Sequence, residues 1–87
     1  MAMFLDVPDP NKTKAALLDP KRDYGHRFQD VVRFLQTTGW ALRMKGSHHI
    51  FRRPEVPALL NFQPETDGKA KAYQIRQLRR ALIKFNL

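Results

Sequence analysis

The stretch Trp40-Ala-Leu-Arg-Met-Lys45-Gly-Ser47-His48-His-Ile-Phe-Arg52 decides the fold. Trp40, Leu42 and Met44 alternate with Ala41, Arg43 and Lys45, a period of two that marks a half-buried strand. Lys45-Gly-Ser47 reads as a tight turn, and His48 to Arg52 as a second strand. Pro54 ends that strand, because proline has no N–H to give to a ladder. Beyond it, Ala58 to Gln63 is rich in Leu and Phe and reads as a third strand, and Pro64 to Gly68 as a loop.

Helices flank the three strands. Phe28, Val31, Val32 and Leu35 stand at i, i+3, i+4 and i+7 on one helical face, and Gln29, Asp30, Arg33 and Gln36 lie opposite. Gly39 is placed to stop that helix. Ile75, Leu78, Leu82 and Phe85 form the stripe of a second amphipathic helix, with Arg76, Arg79, Arg80 and Lys84 away from it. The expected class is α+β, in the order helix, three antiparallel strands, helix, with both helices on one face of the sheet. The other sheet face is then left to solvent or to a partner.

Residues 1–23 read as an N-terminal extension to a domain spanning 24–87. Pro8, Pro10 and Pro20 interrupt the extension, and Asp6-Val-Pro-Asp-Pro has no steady period. Its main reading is a loosely attached arm; a short helix over Lys12–Leu18, capped by Asn11, is the alternative.

With 87 residues, the chain has room for one domain. Its apolar fraction of 43% suffices for a packed core, which excludes a disordered tail. There is no cysteine, so disulfides, thiolate metal sites and cysteine nucleophiles are excluded, and a reducing cytoplasm is the expected setting. No apolar run reaches membrane-spanning length, and no signal peptide is legible at the start. Sixteen Lys and Arg oppose eight Asp and Glu, giving +8 and a pI near 10.5. The charge is segregated. Arg33, Arg43, Lys45, Arg52 and Arg53 fall in an acid-free run from Val31 to Pro54, and Lys69, Lys71, Arg76, Arg79, Arg80 and Lys84 in another from Gly68 to Leu87. Such segregation points to a face for a polyanion, of which nucleic acid is the commonest.

The run Lys45-Gly-Ser-His-His-Ile-Phe51 resembles the glycine-serine-histidine signature of HicA toxins, following a helix and a Gly-Trp strand start. Asn61-Phe-Gln-Pro64 and the segment Lys69-Ala-Lys-Ala-Tyr-Gln-Ile-Arg-Gln-Leu-Arg79 resemble one subgroup of that family. The resemblance spans about Phe28 to Leu87. It implies a double-stranded-RNA-binding-like α-β-β-β-α fold, metal-independent cleavage of messenger RNA, and a HicB antitoxin as partner. Residues 1–23 precede the usual family start, Arg53 stands where a histidine is common, and Ala72 where the subgroup often has proline.

RNA carries its own nucleophile, the 2′-hydroxyl. Cleavage needs a base for its proton, an acid for the leaving oxygen and cations around the phosphate. Histidine suits the first two roles, and Lys or Arg the third. His48 is the candidate catalytic residue; read without the resemblance, a surface histidine with no role is an equal alternative. Strand alternation sends His49 to the opposite face, where it serves packing or partner contact. Lys45, Gly46, Ser47, Arg52, Lys69, Lys71 and Arg76 are the candidate RNA-binding residues. Each lysine is equally readable as part of a solvated face, and Ser47 chiefly shapes the turn. Trp40 is read as core and Tyr73 as either core or base-stacking. Neither a metal nor another cofactor is expected, since His26 is the only further histidine and no carboxylates stand at ligand spacing. The second acid or base is not identified. Two other functions fit the same charge: a non-catalytic double-stranded-RNA-binding module and a structural basic protein of the ribosome. A negatively charged antitoxin is expected to cover the face near His48, with the acid-rich arm (Asp6, Asp9, Asp19, Asp23) as a cover in cis the lesser alternative.

Overall fold

A computed structural model describes residues 9–87. The elements are α1 (Pro10–Leu18), α2 (Phe28–Thr37), β1 (Ala41–Lys45), β2 (His48–Arg53), β3 (Val56–Phe62) and α3 (Ala72–Lys84). The class is α+β: one antiparallel sheet in the order β1-β2-β3, with three helices.

The register assigns the two faces. Leu42, Phe51 and Leu60 lie opposite one another across the three strands, as do Met44, His49 and Phe62. Phe51, Leu60 and Phe62 are buried in a core shared with Phe28, Val31 and Leu35 of α2 and Ile75, Leu78 and Leu82 of α3. On the other face Arg43, His48, Arg52, Leu59 and Asn61 are exposed. The β1–β2 connection is the two-residue loop Gly46-Ser47, with Gly46 at φ +59°. Positive φ at the first loop residue matches the right-handed twist of the flanking strands.

The end of α2 shows why Gly39 is needed. Its φ of +99° turns the chain so that the Trp40 N–H reaches back to the Leu35 carbonyl at 3.0 Å. Arg53 then donates to the Thr38 carbonyl and forms two bonds to Glu55, Nε at 3.0 Å and Nη2 at 3.2 Å. Those bonds hold the Glu55 carboxyl below its ordinary range. Arg53 thus closes the end of α2. It lies at the opposite end of β2 from His48.

The described part of the N-terminal extension differs from the expected loose arm; residues 1–8, with Asp6 and Pro8, lie outside the described residues. Pro10 does not break a helix but begins one, at the position where a missing N–H costs nothing. The cap is Asp9 rather than Asn11: the Asp9 carboxylate accepts the Asn11 N–H at 2.9 Å. Helix α1 packs against α2 and α3 and buries Leu17 completely. It also accounts for Phe34, which lies off the predicted apolar stripe of α2 yet is buried.

Arg79 is a further departure. Predicted to lie away from the apolar stripe, it is 9% exposed and faces the N-terminal segment. Its Nε donates to the Leu17 carbonyl at 2.6 Å and its Nη1 pairs with Asp23 Oδ1 at 2.7 Å. Arg76 reaches the other oxygen of Asp23 at 3.3 Å. The Arg79 hydrogen bond, then the one from Arg76, holds the Asp23 carboxyl below its ordinary value of 3.8.

Two predictions follow from this packing. Leu17→Ala should destabilise the whole chain by about 2–5 kcal/mol, because it opens a cavity in the shared core. A single urea transition at lower midpoint is the expected outcome; unchanged stability would make α1 an appendage. Asp23 is bound as the anion, so its contribution is present at neutral pH and is lost as pH falls from 3.8 through its lower folded value. Thermal melts of wild type and Asp23→Asn should therefore differ at neutral pH and converge in acid.

Candidate active site

The register that buries Phe51 also sets the composition of the opposite face. His48 is paired across β1 with Lys45, and continuation of the β2–β3 register sets it opposite Gln63. The next row holds Arg43, Ile50 and Asn61. Arg52 lies two residues further along β2 on the same face. Three cations thus share this surface with His48, and no carboxylate stands on these strand positions.

Both ring nitrogens of His48 are engaged. Nδ1 lies 2.8 Å from Asn61 Oδ1 and Nε2 lies 3.2 Å from Gln63 Nε2. Asn61 Oδ1 can only accept, so Nδ1 carries a proton, and in the neutral ring Nε2 presents its lone pair to the Gln63 amide. Gln63 Nε2 also donates to Ser47 Oγ at 2.7 Å. Ser47 thereby belongs to the His48 network as well as to the turn. Protonation of Nε2 would set two donors against each other, so Gln63 must turn or withdraw when His48 becomes cationic. The imidazole is oriented by Asn61, and its outward nitrogen is covered by the Gln63 side-chain amide.

Gln63 is itself anchored from below. Gln74, buried in the first turn of α3, donates from Nε2 to the Gln63 carbonyl at 2.9 Å and accepts the Lys71 N–H at 3.3 Å. The start of α3 is therefore fixed beside the end of β3, bringing Lys71, the residue before the helix, toward the His48 end of the sheet. Lys69 is exposed in the preceding loop, whose backbone pairs with the entry to α2: Phe28 N–H to the Gly68 carbonyl at 3.0 Å and Ala70 N–H to the His26 carbonyl at 2.8 Å.

The candidate residues thus divide. Lys45, Gly46, Ser47 and His48 are together at the β1–β2 turn, with Arg52 further along the same face. Lys69 and Lys71 come from the loop and the start of α3. Arg76 is turned to Asp23, although its side chain remains 46% exposed. His49 lies on the core side as expected, its ring edge-on to Phe28 at 4.8 Å with Nδ1 enclosed and unpartnered. Trp40 is core, and Tyr73 is exposed. Asn61, Gln63 and Gln74 were not foreseen as partners of the site, and Arg43 was counted only as charge. Among the described residues no three His, Asp or Glu side chains converge as metal ligands would. No described helix is long and apolar enough to cross a membrane.

Comparison with protein-family models, curated proteins and solved structures returned no match for this chain.

Gln74→Leu should cost about 1 kcal/mol, because it removes the bond to the half-buried Gln63 carbonyl. It should also loosen Gln63, seen as exchange broadening of the Gln63 side-chain amide in NMR spectra. A sharp, unshifted amide signal would show that Gln74 does not position the site.

Proposed function

We propose that the chain is a metal-independent endoribonuclease of the HicA toxin type, cleaving messenger RNA in the cytoplasm with His48. The observation that carries this reading is an exposed imidazole held by Asn61 Oδ1, its second nitrogen facing the Gln63 side-chain amide, beside strand positions that carry Arg43, Lys45 and Arg52 and no carboxylate. The order α2-β1-β2-β3-α3 around one covered sheet face supports the double-stranded-RNA-binding-like fold that accompanies it.

In this mechanism the substrate displaces Gln63 from His48 Nε2, which takes the proton of a 2′-hydroxyl. The 2′-oxygen attacks the adjacent phosphorus and the bond to the 5′-oxygen breaks. The products are a 2′,3′-cyclic phosphate and a 5′-hydroxyl. Lys45, paired with His48 across the strands, balances the charge on the phosphorus oxygens, and Arg43 and Arg52 line the basic track beyond it. Lys45, across from His48, supplies the proton for the leaving oxygen. Lys69 and Lys71 hold the backbone beyond the scissile bond. A HicB-like antitoxin of negative charge is the partner that covers this face, because the described chain places no element of its own over it.

One observation favours a second reading. His48 has both nitrogens occupied, as a structural histidine in a non-catalytic RNA-binding module would. The two separate on incubation of RNA with the purified chain in chelator. Wild type should cleave, and His48→Ala should lose at least about 100-fold in rate with unchanged circular dichroism, since the side chain is exposed. Full cleavage by folded His48→Ala, or cleavage only on adding magnesium or zinc, would overturn the proposal. Binding without cleavage by wild type would establish the module.

A further inference from the structure

The open sheet face carries a depression of about 280 Å³ lined by Arg43, Met44, Lys45, Ile50, Arg52 and Leu59. A solvated strand face has no need of an apolar floor, yet Ile50 and Leu59 form one here, with Leu59 44% exposed. The rim is cationic on every strand position that bears charge. Ile50 shares its face of β2 with His48, roughly 7 Å along the strand, and lies opposite Asn61, which holds the His48 ring. A ligand that fits must be anionic along its length and present a flat, weakly polar surface between its charges.

A nucleic-acid duplex presents its phosphates outward and keeps the base faces stacked inside, leaving Ile50 and Leu59 uncovered. A single strand offers both features, and proteins that hold single strands pair a basic track with a surface on which bases stack. We propose that this depression seats one base of a single-stranded RNA. The base packs on Ile50 and Leu59 under the guanidinium groups of Arg43 and Arg52, and the backbone passes Lys45 to place the neighbouring phosphate at His48. The inference rests on the ribonuclease reading for the identity of the polymer, and adds to it a single-stranded substrate and the residues that select it.

Binding is measured with the full chain carrying His48→Ala, so that no probe is consumed. The probes are single-stranded hexaribonucleotides of each base, the same sugar–phosphate chain without bases, a fully paired RNA duplex and polyglutamate. At least one hexanucleotide should bind about tenfold more tightly than the baseless chain, and more tightly than duplex or polyglutamate. Leu59→Asn should remove that advantage while leaving affinity for the baseless chain within about twofold, because no charge changes. Leu59→Tyr should keep or increase the advantage. Equal binding with and without bases, duplex or polyglutamate binding as tightly as the single strand, or an unaltered Leu59→Asn would overturn the proposal. No readout uses cleavage. A chain that selects bases but never cuts RNA defeats the ribonuclease reading and leaves the subsite; one that cuts RNA but ignores bases defeats the subsite alone.

Discussion

Phe51 occupies the middle of the central strand, flanked in the sheet by Leu42 and Leu60, and it is fully buried. Its ring lies 6.0 Å from that of Phe62, and α2 and α3 bring their apolar faces to the same side. A sheet of this size can fill only one side from so short a chain. Once Phe51 points inward, alternation obliges His48, Ile50 and Arg52 to point outward. A slip of one residue in the β1–β2 pairing would send Arg43 and Lys45 into the core. The candidate surface is thus a by-product of the packing, fixed in position without contributing to the core.

That separation gives the outward face unusual latitude. Ser47, Gln63, His48 and Asn61 bond to one another in series, and among the described residues the Gln74 amide ties that series to the interior. Orientation of the imidazole is a local matter of two amides and a hydroxyl. Position of the imidazole is a global matter of strand register.

The α2–β1–β2–β3–α3 frame was legible because each element repeats its own period: two along Trp40, Leu42 and Met44, and three and four along the two apolar stripes. Helix α1 was legible only as the alternative to a loose arm, because Leu17 alone is fully buried and, with Leu18 beside it only partly covered, the helix shows no periodic face. Pro10 looked like a break because the start of a helix and its interior impose opposite demands on proline. Arg79 was misplaced because charge is ordinarily a sign of exposure; its partners Leu17 and Asp23 are distant in sequence and unknown until the helices pack. In the site, His48 and its flanking lysine could be picked out along the chain. Asn61 and Gln63 could not, because their proximity to His48 depends on the β2–β3 register and on an irregularity near Arg53 that linear spacing does not reveal.

The bond from Arg79 to the Leu17 carbonyl joins residues 62 apart in the chain. During synthesis α1 leaves the ribosome before α2 and α3, yet the guanidinium that secures it is made 62 residues after Leu17. Until α3 has emerged, neither Leu17 nor the Phe34 side of α2 has its full cover, and Asp23 has neither of its arginines. Of the described helices, the earliest made is therefore locked only when the latest arrives. Exposure of the nascent chain to proteases or chaperones should be governed by how soon residues 72–84 clear the exit tunnel.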